Sequence, residues 1–245
     1  AMGPDRCVAL TRDGAIHVLQ MRSGRELWKY QMVKKQLPWQ APPQVAGELL
    51  LTCCGRNNWQ SAVFDMTSGR LLGKIALGQR SAQAFLTAGG LVVVCDGRSL
   101  RLIEPVLGIT ESVWSVPLAA NLKPAVLTVT DAHVVVSPNA GTGVVELRSL
   151  AEYGRIVRTF QTQPVAGKVA MPIAAVVTGN RLYVVAGLQG SPARNALPRR
   201  QIGYIRCPSL HAFNLTTGKR LWSADLTPPG GRNNMYIMPV QLGRD

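Results

Sequence analysis

Leu210-His211-Ala212-Phe213-Asn214-Leu215-Thr216-Thr217-Gly218-Lys219-Arg220-Leu221-Trp222 decides how the rest of the chain is read. It alternates apolar and polar residues through Phe213, turns at Thr217-Gly218, and resumes with Leu221-Trp222. That pattern predicts two short strands joined by a glycine turn. Near the N-terminus, Ile16-His17-Val18-Leu19-Gln20-Met21-Arg22-Ser23-Gly24-Arg25-Glu26-Leu27-Trp28 repeats the phrase. A third copy, Ala62-Val63-Phe64-Asp65-Met66-Thr67-Ser68-Gly69-Arg70-Leu71-Leu72, lacks only the final Trp. Self-similarity at a period of roughly 40–50 residues marks a propeller or a solenoid.

At 245 residues the chain can bury one sizeable core, and the repeats argue for one domain. A composition with 24 Gly, 16 Pro and only 16% charged residues suits a β-rich, turn-rich protein. No run approaches the roughly 18 apolar residues of a membrane span. The 27 basic residues against 13 acidic ones give +14, which favours acidic partners: an acidic protein face, anionic lipid or glycan, or nucleic acid. The competing explanation is scattered surface arginine. Basic runs interleaved with aromatics are missing, so nucleic acid is the least expected of these.

The repeated phrase resembles the tryptophan-docking repeat of the quinoprotein alcohol dehydrogenase-like β-propellers, the PQQ-like family. Its spacing is Ala, then Asp or Asn two later, Gly four after that, and Trp four further on. Ala212, Asn214, Gly218 and Trp222 match it; Val18, Gln20, Gly24 and Trp28 match with two substitutions. Val63, Asp65 and Gly69 match without the Trp, while Glu104 and Gly108 keep the spacing but Trp114 arrives two residues late. The resemblance implies an all-β propeller of four-stranded antiparallel blades, with Trp28, Trp114 and Trp222 packed between neighbouring blades.

Taken in order, the chain yields five such units. The first supplies Cys7–Thr11 and Ala15–Gln20 around an Arg12-Asp13-Gly14 turn, without an innermost strand. Gln44–Ala46, Leu49–Thr52, Ser61–Asp65 and Leu71–Leu77 form the second; Ala84–Thr87, Leu91–Cys95, Ser99–Ile103 and Val113–Val116 the third. Ala125–Val129, His133–Ser137, Val144–Leu147 and Arg155–Phe160 form the fourth, with a Gly141/Gly143 turn and Arg158 at the Trp position. The fifth opens with Ile173–Thr178 and Arg181–Ala186, breaks for Gly187–Pro208, and closes with Leu210–Leu215 and Arg220–Ala224. Tyr236–Leu242 reads as an innermost strand, so Pro239–Leu242 is expected to pair with the first unit and share the last blade between the termini. The competing reading is a piece of a larger propeller. Residues 1–5, with Ala1-Met2-Gly3, are set apart as a tag remnant or extension, leaving 6–245 as one domain with a basic insertion at 187–208.

Cys53-Cys54 is the sharpest chemical candidate, because quinone-dependent enzymes of the resembled family stack a vicinal disulfide on their cofactor. Those enzymes also need calcium held by carboxylate and amide oxygens, and a separate Asp. Asp13, Asp65, Asp96 and Asp131 all fall in turn or docking positions, so PQQ with calcium is the alternative and no cofactor the expectation. Two thiols at a strand end are also simply small buried side chains. His17, His133 and His211 are widely spaced, and His17 and His211 occupy equivalent repeat positions, which argues against a metal site. Asn214-Leu215-Thr216 fits a glycosylation sequon but lies inside the repeat.

The insertion carries Arg194, Arg199, Arg200, Arg206 and Tyr204 with no acidic residue. A loop of about 20 residues in a compact domain is usually functional or disordered, and binding residues concentrate on loops held by rigid scaffolds. The sequence therefore points to a non-catalytic propeller scaffold for protein binding or complex assembly, its arginines and Tyr204 docking an acidic surface or another subunit. A quinone-dependent oxidoreductase is the alternative from another class. The resembled fold works mostly outside the cytoplasm, so export is expected; no signal sequence is present in these residues.

Overall fold

The structure, a computed structural model, describes residues 5–32, 39, 41–54, 60–77, 82–105, 111–118, 125–139, 141–164, 169–189 and 205–226. Among these, every regular element is a β-strand. The first sheet has three strands: β1 (Arg6–Leu10), β2 (Ala15–Gln20) and β3 (Glu26–Gln31). Four four-stranded antiparallel sheets follow. The second holds β4 (Gln44–Ala46), β5 (Leu49–Cys54), β6 (Gln60–Asp65) and β7 (Leu71–Ala76). The third holds β8 (Gln83–Leu86), β9 (Val92–Cys95), β10 (Ser99–Ile103) and β11 (Ser112–Pro117). In the fourth lie β12 (Ala125–Val129), β13 (His133–Ser137), β14 (Val144–Ser149) and β15 (Ile156–Gln161). The fifth contains β16 (Met171–Thr178), β17 (Arg181–Gln189), β18 (Ile205–Asn214) and β19 (Arg220–Asp225). Within each sheet neighbours in space are neighbours in sequence, the up-and-down meander of a propeller blade.

One irregularity recurs in all five. Trp28 pairs with Val18, but the next pair is Glu26 with Leu19, so Leu27 is skipped. The same shift skips Leu72, Val113, Val157 and Leu221 in the other blades. A bulge inserts one residue, bends the strand and increases local twist. It also leaves its apolar residue facing water: Leu27, Val113, Val157 and Leu221 are all exposed. The bulge fixes what stands opposite Val18, Val63, Leu102, Leu147 and Ala212 of the neighbouring strand. In blade order that is Trp28, Gly73, Trp114, Arg158 and Trp222. Trp114 therefore keeps the register of Trp28, and its two extra residues lie in the connection before it.

The chain forms two compact units. The first comprises blades one to three with segments 129–133 and 150–154; the second holds the rest of blade four and blade five. In the first, Leu50 joins a cluster with Val18, Phe64 and Met66, while its neighbour Leu51 joins one with Ile75, Val92 and Ile103. Successive strand residues point to opposite faces, so β5 is buried on both. This explains the unbroken apolar run Leu49-Leu50-Leu51. In the second unit, Val135, Val145 and Phe160 of blade four pack with Leu182, Val184 and Phe213 of blade five. Phe160 and Phe213 meet with ring centroids 5.2 Å apart. Within each unit the apolar strand faces thus pack blade against blade.

Candidate interaction site

The turn after the third strand is built alike in four blades. Gln20, Asp65, Ser149 and Asn214 donate their backbone N–H to the carbonyls of Arg25, Arg70, Arg155 and Lys219. Asp65 Oδ1 accepts from the backbone N–H of Thr67 and Ser68 and from Ser68 Oγ. Those bonds favour the carboxylate and hold its pKa below the usual value. Asn214 Oδ1 likewise accepts from Thr217 N–H at 2.8 Å. Gly69 and Gly218 close their turns at φ +71° and +74°, a region natural to glycine.

Three of these turns receive the side chain at the bulge of the outer strand of the preceding blade. Trp28 Nε1 donates to Met66 O at 2.8 Å, and its ring lies so close over Gly69 that an added Cβ would come within 2.7 Å. Trp114 Nε1 donates to Leu150 O at 2.9 Å, with its ring edge over Gly154. The turn 149–154 is one residue longer than 65–69. Tyr153, at φ 54°, absorbs the extra residue in the left-handed region. In blade four, Arg158 takes the place of the indole. Its Nη2 donates to Thr216 O at 2.6 Å and its Cδ lies 2.8 Å from where a Gly218 Cβ would stand. Sequence reading missed the 149–154 turn because Ser149 and the added residue break the Asp-x-x-x-Gly spacing.

Trp222 differs from Trp28 and Trp114. It touches Tyr183 of its own blade, with ring centroids 6.1 Å apart, and is 43% exposed where Trp114 is 7% exposed. All six residues of β19 are exposed.

Cys53 and Cys54 are free thiols. Both lie within β5, which runs two residues beyond the expected Leu49–Thr52. Extended backbone turns them to opposite faces. Cys53 joins the core and meets Ser61 Oγ at 2.7 Å. Burial raises both thiol pKa values, that of Cys54 to about 11, so neither is poised as a thiolate. Ser209 Oγ contacts His211 Nε2 at 2.9 Å, but both side chains are buried and, among the described residues, no acidic group meets His211 Nδ1. His17 Nδ1 lies 2.6 Å from Glu26 Oε2. Asp96 and Asp131 accept backbone N–H bonds, and Asp13 accepts from Thr11 Oγ1. No group of three metal-ligating side chains occurs among the described residues.

The basic insertion is narrower than expected. Strands β17 and β18 continue past Ala186 and Ser209, and after a register shift pair Leu188 with Arg206 and Gln189 with Ile205. Pro208 is buried inside β18. These are the longest strands described, 9 and 10 residues. Arg194, Arg199, Arg200 and Tyr204 lie outside the described residues, as does the expected Pro239–Leu242 strand; Arg206 is placed by its backbone alone.

No protein-family profile and no characterised sequence matches this chain. Solved structures do. BamB from Moraxella catarrhalis aligns at a TM-score of 0.54 and 16% identity, over 90% of this chain and 58% of BamB. The computationally designed Ika8 protein aligns at 0.55 and 13% identity, over 91% of this chain and 72% of Ika8. Kluyveromyces lactis Hsv2 aligns at 0.62 and 12% identity, over 86% of this chain and 58% of Hsv2. The chain thus spans 58% of the length of BamB and of Hsv2. At these identities the likeness is one of fold, and the fold class is the β-propeller.

Proposed function

We propose that this chain is a non-catalytic β-propeller scaffold of the PQQ-like type, working outside the cytoplasm. It binds an acidic face of another protein, within a complex, through the arginine-rich connection of blade five. The observation that carries this reading is the extension of β17 and β18 as a paired ladder to Gln189 and Ile205. That ladder brackets a stretch of sequence, 190–204, which holds Arg194, Arg199 and Arg200 and no acidic residue. Arginine suits this role because its planar fork matches carboxylates and it sheds water more readily than lysine. Tyr204 adds a rigid apolar anchor.

The reading includes no resident quinone or metal. It is supported by the roles already taken by Asp13, Asp65, Asp96 and Asp131 in turns, and by thiols at Cys53 and Cys54 that face apart. Among the described residues no helix is long and apolar enough to cross a membrane.

The test is a salt series on the wild type and the double variant Arg199→Glu/Arg200→Glu. The probes are a polyglutamate peptide, single-stranded DNA of equal charge, and phosphatidylserine vesicles. Polyglutamate binding should weaken as salt rises, and the variant should associate more slowly, since peripheral charges act mainly by steering. Equal binding by both proteins at every salt concentration would reduce the connection to a solvated loop. Preference for DNA or vesicles would change the partner class.

A further inference from the structure

We propose that His211 is the trigger of an acid-sensitive latch at the seam between blades four and five: a proton taken up on its Nδ1 drives Arg220 off Gln163 and releases β19 from blade four. The arginine-rich connection plays no part in it. The residues involved belong to the second compact unit. The latch has two parts, a clamp made by Gln163, Arg220 and Ser223, and the imidazole buried in the seam behind it.

Gln163, just past the end of β15, turns its amide oxygen to Arg220 of β19. It accepts from Arg220 Nη1 at 2.6 Å and Nη2 at 2.8 Å, while its Nε2 donates to Ser223 Oγ at 3.2 Å. In this orientation both ends of the amide find partners. Across the β18–β19 ladder Arg220 stands opposite Phe213, and Ser223 opposite His211. Cross-strand partners share a face of the sheet. Phe213 meets Phe160 of β15, so this is the face turned to blade four. His211 lies on it, 1% exposed, with its ring stacked beside Phe213 at a centroid distance of 6.3 Å.

The proton positions on His211 follow from its neighbour. Ser209 Oγ has one hydrogen and donates it to Ala186 O at 3.3 Å. Toward His211 it therefore accepts, so Nε2, 2.9 Å away, carries the ring proton. Nδ1 is left as a bare lone pair, buried and without a hydrogen-bond partner among the described residues. An acid proton goes there, and makes a buried cation whose new N–H has no acceptor, both of which are costly. Arg220 and Asp225 of β19 and Arg158 of β15 stand on the faces that meet at the seam. Arg181 and Tyr183 of β17, and Glu146 and Arg148 of β14, alternate with the core residues Leu182, Val184, Val145 and Leu147, and so point the other way. β16 has no charged residue. Asp225 ends the ladder opposite Ser209. Burial opposes the proton most, and the Arg220 charge next. An imidazole released to water takes up a proton near its ordinary value of about 6.5, so acid favours the open seam. The clamp gives way before the core, because Arg220 and Gln163 are exposed and can exchange each other for water.

Amide hydrogen exchange at about pH 7.5 and about pH 5, each corrected for the intrinsic rate at that pH, tests the latch on the wild type, His211→Gln and Gln163→Ala. Both values lie above the ordinary aspartate pKa of about 4. An open-state pKa of about 6.5 allows the opening equilibrium to grow by roughly 30-fold at most between them. The β19 amides of the wild type should lose protection by roughly 10- to 30-fold, while those of β13 and β17 keep theirs. In His211→Gln the β19 protection should not change with pH. Gln163→Ala should weaken the same amides already at the higher pH, by roughly tenfold, the scale of a hydrogen bond to a charged group. Equal β19 protection of the wild type at both pH values overturns the proposal, as does a Gln163→Ala protein protected like wild type. So does a loss that His211→Gln shares, which assigns the trigger to another group, or one that β13 and β17 share, which means that the proton enters only on global unfolding. Should His211→Gln misfold, the ring resonances of His211 in the wild type serve instead. Their titration must track the loss of β19 protection, and a titration without that loss overturns the latch.

Discussion

Arg158 stands where three other blades place an indole, and what replaces a tryptophan shows what the position needs. The guanidinium supplies a flat group over Gly218 and an N–H for Thr216 O, the same two services that Trp28 gives Gly69 and Met66. Burial then decides how much each rung contributes. Trp114→Ala removes a 7% exposed ring and its bond to Leu150, and should destabilise by about 3–5 kcal/mol. Trp222→Ala, measured at low protein concentration, should change stability by no more than about 0.5 kcal/mol, as surface substitutions do. Urea midpoints of the two variants check this; equal losses would mean that Trp222 is packed. His211 gives a second residue-level test. Burial, and then the nearby Arg220 charge, lower its pKa in the folded state. The unfolded chain takes up a proton near its ordinary value of about 6.5, while the folded state resists. Stability from this group is therefore full above that pH and is lost as pH falls through it toward the lower folded pKa. The midpoint difference between wild type and His211→Gln should change between about pH 7.5 and about pH 5 in the sense of a wild type weakened by acid. A difference that stays constant across the range would mean His211 is accessible to protons.

At the scale of the element, strands and turns were legible because their signals are local. The Asp-Gly and Ser-Gly dipeptides set hairpins, and the Val92-Val93-Val94 and Leu49-Leu50-Leu51 runs mark strands buried on both faces. Two features were not legible. The bulge that skips Leu27, Leu72, Val113, Val157 and Leu221 is a fact of pairing, visible only once the partner strand is placed. Ser149–Gly154 hid its turn because the glycine comes one residue late and a non-glycine residue, Tyr153, takes the left-handed conformation. The length of β17 and β18 was also hidden, since Pro208 and the arginines around it read as loop. The turns offer a matched pair of substitutions. Gly24→Ala and Gly69→Ala both force alanine into the left-handed region, at about 1–2 kcal/mol each. Gly69→Ala also drives a methyl to 2.7 Å from the Trp28 ring, adding the roughly 1–3 kcal/mol typical of overpacking. Thermal midpoints should rank wild type above Gly24→Ala and Gly24→Ala above Gly69→Ala; identical losses would mean the indole yields freely.

For the whole molecule, the unresolved contrast is between charge as a total and charge as a place. The chain carries +14, and most of that charge lies outside the connection 190–204. Only charges within about 8 Å of a contact act on it strongly at physiological ionic strength. A partner held by the connection should therefore depend on Arg194, Arg199 and Arg200 far more than their share of the total suggests. Joining Gln189 to Ile205 through Asn-Gly, a dipeptide suited to a two-residue hairpin, would delete residues 190–204. The blade-five ladder would remain, and the formal charge would be +11, that is 14 minus the 3 deleted arginines. If the connection is the binding element, the shortened protein should lose most of its salt-sensitive affinity for polyglutamate while keeping its thermal midpoint. If charge acts only as a total, affinity should fall slightly and the slope against salt should stay nearly as steep. The salt slope of the shortened protein separates the two, because it counts the charges that meet the partner and not those spread elsewhere over the chain.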